Sequence, residues 1–292
     1  MTPRAAALLM TAGMGCYAAN DALVKAAASA LPTGQLLTLR GALACLILVA
    51  LERLNRQRVA PRDIGLRRTQ MRSPMLMLRC VLEVTTAGFS VLALANAPLA
   101  TVSAIMMSAP LLVMLCSCVL GWEPWHKARL VVAGGGLAGV LLVLQPDASM
   151  PAAGAGIAAA CLCAASLAGR DVATRRLPSQ LSSTDVAALA TAAVCAGGIL
   201  LAPLETWTVP HSDDVVLVAM AALCAALGNL ALVVACRSAP LSLIAPYRYS
   251  FIVWATALGF LVWGEMPGLW QAVGIVLLVV GGVLGMRDAK QR

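Results

Sequence analysis

Apolar residues in this chain come in long unbroken runs, not in the alternation of a half-buried strand or the single stripe of a surface helix. Ten runs are predicted as helices, at about 5–26, 35–52, 74–95, 99–120, 130–146, 154–173, 184–203, 214–235, 241–262 and 269–286. At 1.5 Å rise per residue, roughly 17 to 22 apolar residues cross the ~30 Å hydrocarbon layer of a bilayer. The connections are short except for 53–73, itself too short for a domain. The pattern predicts an all-α polytopic membrane protein with no room for a soluble catalytic module.

One stretch occurs twice. PLATVSAIMMSAPLLVMLCSCVLGWE runs from Pro98 to Glu123, and PLSLIAPYRYSFIVWATALGFLVWGE runs from Pro240 to Glu265. Both open on Pro-Leu and end on a glutamate in the same register, 142 residues apart, about half of the chain. Weaker echoes are Leu31-Pro32 before the second run and Leu177-Pro178 before the seventh. Glycines also cluster in the fifth run (Gly134, Gly135, Gly136, Gly139) and the tenth (Gly274, Gly281, Gly282, Gly285), which suits close packing or bending. Five runs per half is an odd number, so the halves enter the membrane in opposite senses. The expectation is ten transmembrane helices as two inverted five-helix repeats, residues 1–146 and 147–292.

Composition agrees with this reading. Apolar residues make up 61% of the chain, charged residues 12%, and mean hydropathy is +0.87, outside the range of a soluble domain. The ten cysteines are scattered through the apolar runs, without disulfide-framework or zinc spacing, and read as small hydrophobes. Net charge is +8, but its placement speaks of topology and not of nucleic acid. Arg53, Arg56, Arg58, Arg62, Arg67, Arg68 and Arg72 fill one loop. Lys127, Arg129, Arg170, Arg175, Arg176, Arg287, Lys290 and Arg292 fall on the same side. The positive-inside rule then puts both termini in the cytoplasm, with Glu205, His211 and Asp213 opposite. Arg4 and the apolar stretch after it look like a signal sequence, expected to be retained as the first span.

Candidate chemistry lies in the polar groups inside these runs, where a charge needs a partner, a cavity or the interface. Arg79 and Glu83 are four residues apart on one helix face and can pair structurally or handle substrate or protons. Glu83 is the first candidate for proton coupling, with Asp21 beside it as the second. Arg40 is expected at the depth of Asn20 and Asp21, where it can bind an anionic substrate group or neutralise Asp21. Asp21 and Lys25 form another i,i+4 pair. Tyr247, Arg248 and Tyr249, followed by Trp254, are the densest aromatic and cationic group. Pro246 just before them can break the helix and free carbonyls. They make either a binding site or an interfacial anchor, with Tyr17 as a further lining candidate. Glu123 and Glu265 read as helix-end contacts. No phosphate loop, metal-binding histidine cluster or nucleophile motif is found, so neither a cofactor nor a metal is expected.

With those residues in view, the chain resembles the drug/metabolite transporter superfamily, specifically ten-span proteins with two EamA-like domains. The resemblance covers nearly the whole chain. It rests on Pro98-Leu99-Ala100, Pro110, the Gly121-Trp122-Glu123 exit and Trp263-Gly264-Glu265. Family members usually have adjacent Gly-Glu at such an exit, and the first half departs with Gly-Trp-Glu. The resemblance implies a non-enzymatic secondary transporter of the bacterial inner membrane, moving a small organic solute by alternating access through a cavity between the halves. The expected partners are that solute, amphipathic or anionic, the lipid bilayer and protons. Asn20-Asp21-Ala22, Lys25 and Gly34-Gln35 with Leu39-Arg40 also look like riboflavin or S-adenosylmethionine uptake relatives. A membrane-embedded enzyme is the reading from a different class.

Overall fold

The computed structural model describes residues 3–56, 73–119, 134–135, 138–139, 142, 151–175, 177, 183–238 and 245–288. Its helices are α1 (Pro3–Ala27), α2 (Thr33–Arg56), α3 (Pro74–Asn96), α4 (Leu99–Met106), α5 (Ala109–Val119), α6 (Pro151–Arg175), α7 (Ser183–Leu201), α8 (Ser212–Ser238), α9 (Ser250–Trp263) and α10 (Leu269–Asp288). Short 3₁₀ turns cover Ala202–Leu204 and Ala245–Tyr249. Most of the predicted fifth span, together with Glu123, lies outside the described residues.

The chain is an all-α polytopic membrane protein. Five stretches among the described residues are long and apolar enough to cross a bilayer: Thr33–Ala50, Pro74–Asn96, Gly154–Thr174, Val186–Leu204 and Ser212–Leu232. The outer faces carry large apolar side chains such as Leu46, Met77, Val253 and Leu261. In water such faces would be costly; against lipid they cost nothing. α1 falls outside that group for a physical reason. It carries Asn20, Asp21 and Lys25, and it occupies the centre, with Met10, Met14 and Ala18 buried.

Two predicted spans are interrupted. The run at 99–120 breaks between α4 and α5 at Met107-Ser108, where Ser108 Oγ donates to Ile105 O at 2.7 Å. The backbone tightens there to an i→i−3 bond, Ser108 N to Ile105 O at 3.0 Å, and Pro110 has no N–H to offer the next turn. In the run at 241–262 the described residues form a 3₁₀ turn over Ala245–Tyr249 before the α-helix that starts at Ser250, whose Oγ donates to Tyr247 O at 2.6 Å. A serine hydroxyl bonded to a carbonyl one turn back competes with the helical ladder.

The most extensive packing joins α1 to α8, α3 to α6 and α2 to α7. α1 also packs on α9, while α6 packs on α4 and α5; α2 touches α8, while α3 touches α7. Glycines permit these approaches. A Cβ on Gly198 would lie 2.4 Å from Thr38 Oγ1 and 2.5 Å from Gly34 O, and one on Gly13 would lie 2.9 Å from Ala231 Cβ. Of the predicted glycine cluster of the fifth run, Gly134 and Gly135 have nothing within 4 Å of an added Cβ among the described residues. Close backbone approach occurs at α1–α8 and α2–α7.

Candidate functional site

At one end of the bundle, carboxylates join helix ends. α9 ends on Gly264 at φ +67°, with Gly264 N bonded to Phe260 O and Glu265 N to Gly259 O at 3.1 Å. That left-handed cap requires glycine, and it turns the chain so that Glu265 reaches back. Glu265 Oε2 accepts from Leu99 N at 2.8 Å, capping α4 from another helix, since Pro98 offers no side-chain cap. Glu265 Oε1 pairs with Lys25 Nζ, which also donates to Ala97 O at 3.1 Å and lies 4.9 Å from the Trp263 ring centre. Glu205 Oε2 accepts from Gly34 N at 2.8 Å in the same way, and Gln35 exchanges two bonds with the backbone of Thr208. The expected Asp21–Lys25 pair is thus corrected: Lys25 turns to Glu265, where a carboxylate, a carbonyl and an aromatic face meet its ammonium. The expectation of a helix-end contact holds for Glu265.

Deeper in the bundle, Asn20 and Asp21 are buried on α1. Asn20 Nδ2 donates to Asp21 Oδ1 at 2.8 Å, and Arg40 Nη1 on α2 donates to Asn20 Oδ1 at 3.4 Å. Arg40 therefore does reach the depth of Asn20 and Asp21.

The next layer joins α3 to α6. Arg79 Nη2 lies 3.4 Å from Glu83 Oε2, the i,i+4 pair the sequence suggests. Glu83 has a closer partner, however: Arg170 Nη1 donates to Glu83 Oε1 at 3.2 Å. Arg170 also binds Asp171 Oδ1 through Nη2 at 3.1 Å and Nε at 3.3 Å. Arg79 Nε donates to Thr174 Oγ1 at 3.0 Å. Sequence reasoning counted Arg170 among the charges at the cytoplasmic end, although the predicted span 154–173 contained it. An arginine followed by an aspartate inside an apolar run was the available signal.

Tyr17 on α1 stands between the layers, within electrostatic reach of Asp21, Glu83, Arg170 and Arg248. Its ring is fixed over the α1–α8 crossing, where a Cβ on Gly228 would meet it at 3.2 Å. The second-copy residues divide. Tyr249 is buried in the apolar core, whereas Tyr247 and Trp254 are each 43% exposed. Trp254 lies over Gly15 and donates from Nε1 to Thr11 O at 3.2 Å, so α1 positions it. Among the described residues, the buried side-chain atoms without a hydrogen-bond partner are Arg79 Nη1, Glu83 Oε2, Ser103 Oγ and Arg248 Nε. Three of the four belong to arginines or a glutamate inside apolar segments, where such atoms are costly. Asn20 and Arg40 share one bond, whereas Arg79 Nη1 and Arg248 Nε have none. Among the described residues no group of three His, Cys, Asp or Glu side chains could hold a metal.

The model of the EamA-like transporter family matches residues 4–145 and again 154–286. The chain belongs to the EamA-like transporter family. Its function is therefore transport, as a secondary transporter of small molecules across the membrane, and not catalysis. Among curated relatives, the Pseudopaline exporter CntI of Pseudomonas aeruginosa, from strains UCBPP-PA14 and PAO1, is 26% identical over 282 residues. The alignment covers 94% of this EamA-family chain and 93% of the exporter. A solved crystal structure superposes at a TM-score of 0.67, with 20% identity over 99% of each chain. That second likeness concerns the fold alone.

Proposed function

We propose that this EamA-family protein carries a small organic metabolite across the bacterial inner membrane by alternating access between two inverted five-helix halves, 1–146 and 147–292. Several observations support the architecture: the in-register repeat, two family matches of similar length, and packing pairs that map onto each other when the halves are exchanged. Exchange turns α1–α8 into α6–α3, α1–α9 into α6 with α4 and α5, and α2–α8 into α7–α3. Both termini are cytoplasmic in this reading, as the arginine placement suggests.

The observation that carries the site is Arg248 Nε, buried and unpartnered at the helix break of the second repeat. A carboxylate or another anionic group on the substrate satisfies it. Glu83 Oε2 and Arg79 Nη1 supply a complementary acceptor and donor. Tyr17, Tyr247 and Trp254 offer ring surface, with Asn20, Asp21, Arg40 and Tyr249 in support. The name of the curated relative favours export. Uptake of riboflavin or S-adenosylmethionine is the second reading, favoured only by the half-exposed rings of Tyr247 and Trp254, which suit stacking.

A thermal-shift screen of metabolites on the purified protein, followed by transport of each hit in both directions, tests the function. Glu83 is the proposed proton carrier. In proteoliposomes an imposed pH gradient should accelerate transport by the parent and leave Glu83→Gln unaffected. Equal acceleration in both removes Glu83 from the coupling.

A further inference from the structure

Glu83 pairs with Arg79 on its own helix and with Arg170 on α6, which also binds Asp171; Cys80, Cys163 of α6, Tyr17 of α1 and Arg40 of α2 lie within electrostatic reach of Glu83. Within this group the arginines are used unequally. Every nitrogen of the Arg170 guanidinium has an acceptor, with Nη1 on Glu83 and with Nε and Nη2 on Asp171. Arg79 and Arg248 each keep an unpartnered nitrogen. A fork-like guanidinium with a partner at every nitrogen fixes geometry. Arg170 and Glu83 also belong to different halves of the chain, α6 and α3, along one of its most extensive helix contacts.

We infer that Arg170 is a positioning residue for transport: it ties α6 to Glu83 of α3, fixes the carboxylate through Oε1, and releases the α3–α6 seam when Glu83 loses its charge. This rests on the carrier reading above but concerns a residue that the reading does not use. Asp171 anchors Arg170 from its own helix, so neutralising Glu83 leaves Arg170 paired on α6 and detaches it from α3. The tie between the halves is lost while Arg170 keeps its carboxylate, and Arg79 is left with Thr174 Oγ1 as its partner.

The same seam contains its own reporter. Cys163 is two helical turns before Arg170 and fully buried, with Sγ 3.3 Å from Thr86 O; Thr86 lies one turn from Glu83. The full-length protein in proteoliposomes is treated with N-ethylmaleimide at one fixed pH. Alkylation of Cys163 is read by mass spectrometry against exposed Cys161 on the same helix. Glu83→Gln and Arg170→Gln are each expected to raise Cys163 labelling about fivefold, as a local opening of the seam requires. Arg170→Lys, which keeps the charge, should restore most of the protection, and Cys45 and Cys195 on the α2–α7 seam should label as in the parent. Parental Cys163 labelling in Glu83→Gln overturns the inference. So does a general rise at Cys45 and Cys195 in Arg170→Gln, which would make Arg170 a purely structural residue. The readout needs no substrate, so its failure is distinct from failure of the carrier reading, which would appear as absent transport.

Discussion

The two copies of the repeated stretch use one backbone device for different ends. In each, a serine opens the inner helix and donates its hydroxyl to the carbonyl three residues back, Ser108 to Ile105 and Ser250 to Tyr247. These serines are 142 positions apart, the same offset that relates Pro98 to Pro240. Beside the first break stand Met106 and Met107, packed into the apolar core; beside the second stand Arg248 and Tyr249. The fold keeps the break in both halves and puts a cation at only one of them. The break thus belongs to the architecture shared by both copies, and Arg248 is the point at which the second copy departs from it, which the proposed function uses.

The comparison is broken most severely by moving the cation. Met106→Arg places an unpaired guanidinium among the apolar neighbours on which Met106 packs. A loss of about 3 kcal/mol is expected from thermal unfolding in detergent. A variant as stable as the parent would mean that both breaks can accept a charge. Glu265→Gln leaves Lys25 without its anion but keeps an acceptor for Leu99 N. The two side chains of that pair are 13% and 22% exposed, so a loss of about 1 kcal/mol is expected by the same melt. The smallest effect tests whether the breaks are equivalent. Ser108→Ala and Ser250→Ala each remove one hydroxyl bond to a helical carbonyl and should cost a similar amount, about 0.5–1 kcal/mol. A large cost at only one serine would separate the two breaks.

The fold was legible wherever the signal was periodic or repeated. Runs long enough to cross a bilayer announced the helices, and Pro-Leu with its in-register glutamate announced the second copy. Pro246 marked the region where the ninth run would not be α-helical, and Tyr247 to Tyr249 do form a 3₁₀ turn. The break at Ser108 was less visible, because serine is common in apolar helices and only its geometry reveals the bond it makes. The site was legible by residue type but less so by partner. Reading neighbours along the helix suggested Asp21 with Lys25 and Arg79 with Glu83. Lys25 instead finds Glu265, 240 residues on, and Glu83 finds Arg170 at a shorter distance than Arg79. Local spacing gives the nearest neighbour in sequence, while a charge inside an apolar bundle takes whichever partner the packing brings to its depth. Arg170 was missed because charges near span ends were counted toward orientation, and a residue about one turn inside the helix end serves either purpose.

The central claim, that the second break holds the substrate and the first does not, is tested by transport of a thermal-shift hit through the Arg248→Met variant, which copies the first repeat's residue into the second. Loss of a charge-assisted bond at a buried site should lower transport and the ligand-induced stabilisation by about tenfold or more, with the ligand-free melting curve close to that of the parent. Parental transport and ligand stabilisation in Arg248→Met would contradict the account.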